Sequence, residues 1–350
     1  QLHAPRRPDV TTASTVPQPT PEVDAAGPVL AVFAHPDDET LLAGGLLARI
    51  AAQGVPAVVV TATRGERGEM IDAAHLEGTE WVAQVRTTEL VAALAALGIT
   101  GHHFLDELAT PAELGEVAAA DAPPARWTDS GMEWVSPGLA GPAPDAPTTA
   151  LTAGPLASQA QALARLMRTV RPAVVISDEE GGSYGHPDHR RTHEIVVAAL
   201  DVAAHPGLDL TGAQADAVRP VHAVITVSAD RLVAANKQVA AQVRQEQSMG
   251  ALAQPLLTPG PDLPALARPE REVDLEVDTS AGARRLLAAL RSYPSQVQGA
   301  TIPVLDATAM RPARALARLR PSQAAVGWYA LSNAVASPIL PTVGLSLVRG

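Results

Sequence analysis

The sequence predicts an α/β protein: a Rossmann-like, mostly parallel sheet with helices on both faces, and a smaller C-terminal part packed on it. Two observations predict it. Short apolar runs rich in Val and Ile alternate with longer stretches of helical spacing from Pro28 onward. Strand, helix, strand, helix in that order builds a parallel sheet with covered faces. The chain is also long enough, at 350 residues and 47% hydrophobic, to bury a substantial core.

The elements follow in order. The run "VLAVFA" (29–34) and the run "VPAVVVTAT" (55–63) read as strands buried on both faces, with a helix over 40–53 between them. Over 79–97, Val82 and Val85, then Leu90, Leu94 and Leu97, fall at helical spacing, and Gly98 follows as a stop. "HHFL" (102–105) fits a third strand and "PAVVISD" (172–178) a fourth, the latter preceded by a helix over 156–170. The stretch 188–204 reads as helix and "VHAVITV" (221–227) as strand. Further on, "EVDLEVD" (272–278) alternates like a strand, and 280–292 reads as a helix.

Three units are expected. Residues 1–26, with five prolines among Thr, Ser and charges, read as a disordered tail without the hydrophobic segment of a signal peptide. Residues 27–229 form the main domain, interrupted by an irregular insertion over 106–150 that is rich in Pro, Gly and Ala. Residues 230–350 complete the fold and contain a proline-rich loop over 251–271.

Composition narrows the function. A formal net charge of −11 with no basic patch argues against nucleic acid or an anionic membrane as partner. No apolar run reaches the length that spans a bilayer, so a cytoplasmic location is expected. Cysteine is absent, which rules out disulfides and thiolate metal sites and leaves His, Asp and Glu as the only metal ligands.

Two motifs carry chemistry. The first strand ends in His35, Pro36, Asp37, Asp38 and Glu39. In an α/β sheet ligands bind beyond the carboxyl ends of strands, and adjacent carboxylates there repel unless a positive charge sits among them. Helix N-cap acids account for Glu39 or Thr40, but not for a histidine with two further carboxylates. A second cluster, "GGSYGHPDHRRTHE", follows the fourth strand and holds His186, Asp188, His189 and His193. If a helix begins near Pro187, His189 and His193 share a face at i, i+4, a zinc-binding spacing. Alternatively, His186 and His189 straddle the helix start, one ligating and the other reaching the reacting group. The stretch Gly181 to Gly185 also fits G-x-S-x-G, but "DEEGG" separates Ser183 from its strand, against a nucleophile elbow.

The pairing of "AHPDDE" with "GHPDH" resembles the PIG-L/LmbE-type metal-dependent N-deacetylases, and "TRGERGE" (63–69) and "RTTELVAALAALG" (86–98) agree with it. At "ARWTDSGM" (125–132), "RPAVVISDEEGGSYGHPDH" (171–189) and "ALSNAVASPIL" (330–340) it is similar to the branch acting on N-acetylglucosaminyl-inositol in mycothiol biosynthesis. The resemblance runs from about Pro28 to the C-terminus and is weakest over 200–320. It implies one zinc ion, with iron(II) also compatible, held by His35, Asp38 and His189. Asp37 would be the general base, with His186 stabilising the oxyanion or protonating the leaving amine, and Tyr184 beside the carbonyl oxygen. Arg86 and Asp129 would contact sugar or inositol hydroxyls, Asp188 would support a ligating histidine, and His193 is left without a role. The implied reaction is hydrolysis of the N-acetyl group to an amine and acetate, on a small N-acetylated amino sugar. Alternatives of the same chemistry are an amidase for mycothiol S-conjugates or a deacetylase of another N-acetylglucosamine conjugate. Outside it stands a non-catalytic sugar-binding protein, disfavoured because binding alone needs no base beside a metal.

Overall fold

The computed structural model describes residues 27–72, 80–115, 126–136, 138–205, 217–306, 316 and 318–349. The proline-rich tail over 1–26, residues 116–125 and residue 137 of the insertion lie outside them.

The chain opens with β1 (Val29–Phe33), α1 (Asp38–Ala52), β2 (Ala57–Thr61), α2 (Glu80–Leu97) and β3 (Gly101–Phe104). All five residues of β1 are buried because it is central and covered on both faces, which is why it reads as an unbroken apolar run. The 106–150 region, read as irregular, contains a hairpin of β4 (Met132–Ser136) and β5 (Leu139–Pro142). Next come α3 (Leu156–Val170), β6 (Val174–Ser177), α4 (Pro187–Ala204) and β7 (Val221–Ser228). Helix α5 (Ala229–Ser248) follows β7 directly, with the Ser228 hydroxyl accepting from the Arg231 N–H as its N-cap. The remainder holds β8 (Ala267–Arg268), β9 (Leu275–Asp278), α6 (Ala283–Leu290), β10 (Gln298–Thr301), β11 (Gly327–Ala330), β12 (Ala336–Ile339) and β13 (Thr342–Leu347). The alternating 272–278 run yields only the four residues of β9, because a 3-10 turn occupies 270–272 after Pro269.

The main sheet has the order β3-β2-β1-β6-β7-β13-β9. Strands β3, β2, β1, β6 and β7 run parallel, β13 pairs antiparallel with β7, and β9 pairs antiparallel with β13, so the C-terminal stretch extends the same sheet. Helices α1, α2 and α6 bury one face around Leu47, Leu90 and Tyr293, and α3 and α4 bury the other around Leu163, Met167 and Val196. Strands β10, β11 and β12 form a separate antiparallel sheet against α5. No helix among the described residues is long and apolar enough to cross a membrane.

The topology fixes where a ligand binds. The chain leaves β1 toward β2 and β3 on one side, and later fills β6 and β7 on the other. The switch point lies between β1 and β6, and the two loops that leave these strands frame the crevice at their carboxyl ends. Both loops carry the motifs singled out in the sequence.

Candidate active site

The loop after β1 is held in a strained shape. Asp37 has φ of 98°, a region that a non-glycine residue enters only where its surroundings over-determine it. Two contacts do so. The Asp37 N–H donates to Glu39 Oε2 at 3.1 Å, and the Asp37 carboxylate lies 3.2 Å from Arg86 Nη2. Glu39 is fully buried, and its Oε1 accepts from the Tyr293 hydroxyl at 2.7 Å. Its position therefore serves the turn rather than the crevice.

The other loop begins at Asp178, just past β6. Pro187 starts α4, and the preceding His186 is its N-cap, its Nδ1 accepting from the Asp188 N–H at 3.1 Å. That bond puts the proton of the neutral ring on Nε2. Burial, together with His35 and His189, pushes the His186 pKa well below its ordinary value, so the ring stays neutral.

His35, His186 and His189 converge in a buried cluster, with ring centroids 4.7 to 5.3 Å apart. Their ligand atoms lie within 4.8 Å of one another, as do those of His35, Asp129 and Asp188. Asp38 joins them: its Oδ2 accepts the His35 N–H at 2.9 Å and stands 3.5 Å from His35 Nδ1 and 3.4 Å from His189 Nε2. Donors about 2.0 to 2.1 Å from a tetrahedral ion are spaced about 3.3 to 3.4 Å apart, so these two edges fit such an ion.

The outer nitrogens of the two rings are engaged elsewhere. His35 Nε2 lies 3.1 Å from Asp188 Oδ2, and His189 Nδ1 lies 3.0 Å from Asp178 Oδ1. A carboxylate on one ring nitrogen fixes the tautomer and turns the other nitrogen's lone pair inward. His189 Nε2 is correspondingly buried with no hydrogen-bond partner. A buried imidazole nitrogen with no hydrogen-bond partner, beside a carboxylate oxygen, fits a metal ligand.

Electrostatics make the same demand. Burial would lower the His35 and His189 pKa values, yet the carboxylates around them win: Asp129, Asp188 and Asp38 hold His35 well above its ordinary value, and Asp38 and Asp178 push His189 up to about 9. Burial pushes Asp37 up to about 7 even against Arg86, whereas His189 and His35 overcome burial and hold Asp38 below the usual carboxylate range. The carboxylates draw positive charge into the crevice, a requirement that a divalent cation meets.

The remaining expected residues are placed as follows. Tyr184 flanks the cluster, its ring 5.4 Å from that of His189 and 5.8 Å from that of His186. Asp129 is buried 3.7 Å from His35 Nε2, and its oxygens accept the backbone N–H groups of Gly131 and Arg67. Arg86 is 4% exposed, and besides Asp37 it donates to the Gly65 carbonyl at 2.9 Å and the Pro36 carbonyl at 2.6 Å. These contacts make it a clamp on the Asp37 turn. His193 turns away from the cluster: its Nδ1 meets the Asp178 carbonyl at 2.9 Å and its ring lies 5.8 Å from that of His222. The i, i+4 pairing with His189 is not formed. Ser183 is also no exposed nucleophile, being 3% exposed with its hydroxyl donating to Asp178 Oδ1 at 2.8 Å.

Asp178 is the residue that sequence reasoning missed. It buries its carboxylate behind His189, yet in the sequence it is one acid in "SDEE" at a strand end. Its only signal was that position.

Residues 30–200 match the PIG-L family, described as GlcNAc-PI de-N-acetylase. Three relatives bear the name 1D-myo-inositol 2-acetamido-2-deoxy-alpha-D-glucopyranoside deacetylase. That of Kineococcus radiotolerans is 35% identical over 92% of this chain and 77% of its own length. One from Saccharopolyspora erythraea, numbered 1 in that species, is 35% identical over 92% of this chain and 89% of its own. The Actinosynnema mirum protein is 33% identical over 92% of each.

Proposed function

This chain belongs to the PIG-L family, and from that premise we propose that it hydrolyses the N-acetyl group of N-acetylglucosaminyl-inositol, giving glucosaminyl-inositol and acetate in mycothiol biosynthesis. The observation that carries the reading is the orphaned Nε2 of His189, 3.4 Å from Asp38 Oδ2 and across from His35. Names borne by relatives that match nearly the whole chain support the substrate.

His35 Nδ1, Asp38 Oδ2 and His189 Nε2 would hold zinc, each imidazole backed by its carboxylate. When bound, the ion supplies Lewis acidity, polarising the amide carbonyl and acidifying an attacking water. The other steps belong to the chain. Asp37, unlike Asp38, turns its carboxylate toward Arg86 and accepts the proton of the water. The Nε2–H of His186 and the Tyr184 hydroxyl donate to the oxygen that becomes negative as the carbon turns tetrahedral. The proton that Asp37 has taken is then available for the departing nitrogen, which leaves as a neutral amine. Asp129 and the buried side chains around it exclude bulk water from one wall of the crevice.

The test is acetate release from N-acetylglucosaminyl-inositol measured beside a mycothiol S-conjugate. Faster turnover of the inositol disaccharide supports the reading, and faster turnover of the S-conjugate replaces it with the amidase.

A further inference from the structure

The β4–β5 hairpin stands at the mouth of the crevice. The Ala140 N–H donates to the Tyr184 carbonyl at 2.8 Å, which ties the hairpin to the catalytic loop. The approach is close: a Cβ on Gly185 would sit 2.7 Å from the Ala140 carbonyl oxygen. Trp134 pairs directly across from Ala140, so the two side chains share one face of the hairpin, the face turned toward that loop. Ala140 is buried there, while Trp134 reaches past it to Tyr184, with ring centroids 5.8 Å apart and planes at 33°.

Trp134 nevertheless remains 57% exposed, and Val135 and Leu139 beside it are exposed as well. A large indole left half in water costs hydrophobic free energy, and its own hairpin offers it no cover. The aromatic groups therefore form a graded series from the buried imidazoles, through the half-buried Tyr184, to the exposed Trp134. Each step between neighbouring centroids is 5.4 to 5.8 Å, so the rings form one continuous aromatic wall.

We infer that Trp134 is a stacking platform for the second ring of the substrate. The inference rests on the proposed function for the position of the amide at the imidazoles. With the amide there, the ring that bears it lies level with Tyr184, and whatever is joined to that ring emerges over Trp134. Pyranose and cyclitol rings present an apolar face of C–H groups, and an indole face both desolvates it and attracts its partial positive charge. The ligand class is a saturated, hydroxylated six-membered ring glycosidically joined to the N-acetylated sugar. Trp134 is thus a specificity-determining residue that reads the leaving product's second ring and takes no part in amide cleavage.

The experiment compares wild type with Trp134→Ala, Trp134→Leu and Trp134→Phe. Acetate release is followed on N-acetylglucosaminyl-inositol and on methyl N-acetylglucosaminide, which lacks the second ring. The ratio of kcat/KM, disaccharide over monosaccharide, is expected to fall about tenfold in the Ala and Leu variants, through KM, and to hold within about threefold in the Phe variant. A wild-type ratio in Trp134→Ala overturns the platform, as does an equal loss on both substrates. A wild-type enzyme inactive on both substrates overturns the proposed function instead. A fluorescence titration with glucosaminyl-inositol then judges the platform alone. Saturable quenching in wild type that is lost in Trp134→Phe supports it, and no quenching, or quenching undiminished in the variant, refutes it.

Discussion

Asp178 Oδ1 lies 3.0 Å from His189 Nδ1 and accepts the Ser183 hydroxyl at 2.8 Å, so one buried carboxylate both orients the histidine and locks the loop that carries it. The consequence appears on the far side of the ring, where His189 Nε2 is left without a partner. Asp188 does the same for His35 from the other wall, and its Oδ2 also accepts the Ser130 N–H at 2.9 Å.

Asp178→Asn is therefore expected to weaken zinc binding about 10- to 100-fold while the protein stays folded. Competition against a chelator reads the affinity, and circular dichroism the fold. Unchanged zinc affinity would show that Asp178 merely supports the loop.

The two adjacent aspartates differ in their partners and should differ in phenotype. Asp37→Ala is expected to keep one equivalent of zinc and to lose about 10²- to 10⁴-fold in kcat. His35→Ala should lose the metal. Zinc at full stoichiometry together with a wild-type rate in Asp37→Ala would remove Asp37 as the base.

Arg86 offers a contrast between clamp and substrate donor. Its removal leaves Asp37 buried beside two carbonyls that have lost their donor. Arg86→Met should lower the unfolding free energy by about 3 kcal/mol, read from denaturant midpoints. Stability at the wild-type level, with only KM raised, would favour the sugar-hydroxyl role over the clamp.

A pH dependence of stability arises away from the crevice. His222 is buried against the Ser177 hydroxyl at 2.9 Å, and burial, then His193, pushes its pKa down to about 4. In the unfolded chain it titrates near 6.5. The unfolded state therefore binds the extra proton between those values. The stability that His222 contributes is complete above pH 6.5 and falls by about 3 kcal/mol as the pH drops to 4. Chemical denaturation across that range should show a shallower slope in His222→Gln than in wild type, and identical slopes would exclude the assignment.

The sequence made some of this legible and concealed the rest for physical reasons. Strands β1, β6 and β7 and helices α3 and α4 stood out because buried parallel strands are continuous apolar runs and their crossover helices keep a 3.6-residue period. Helix α5 was missed although Ser228 caps it and Val239 and Val243 are spaced four apart, because its Gln- and Ala-rich surface dilutes the apolar stripe. The β4–β5 hairpin was passed over inside a Pro- and Gly-rich stretch. In the crevice, the dense His and Asp motifs were visible as local strings. The pairing of Asp178 with His189 and the capture of Arg86 by Asp37, Pro36 and Gly65 were not, since each depends on loops meeting across the sheet.

The central claim is that the loops after β1 and β6 meet around one catalytic divalent ion. The most direct measurement strips the protein with chelator and titrates zinc back while following acetate release from N-acetylglucosaminyl-inositol. The account predicts that release vanishes on stripping and returns in full at one equivalent of zinc per chain. Release that survives complete metal removal, or that never occurs at any metal loading, would contradict it.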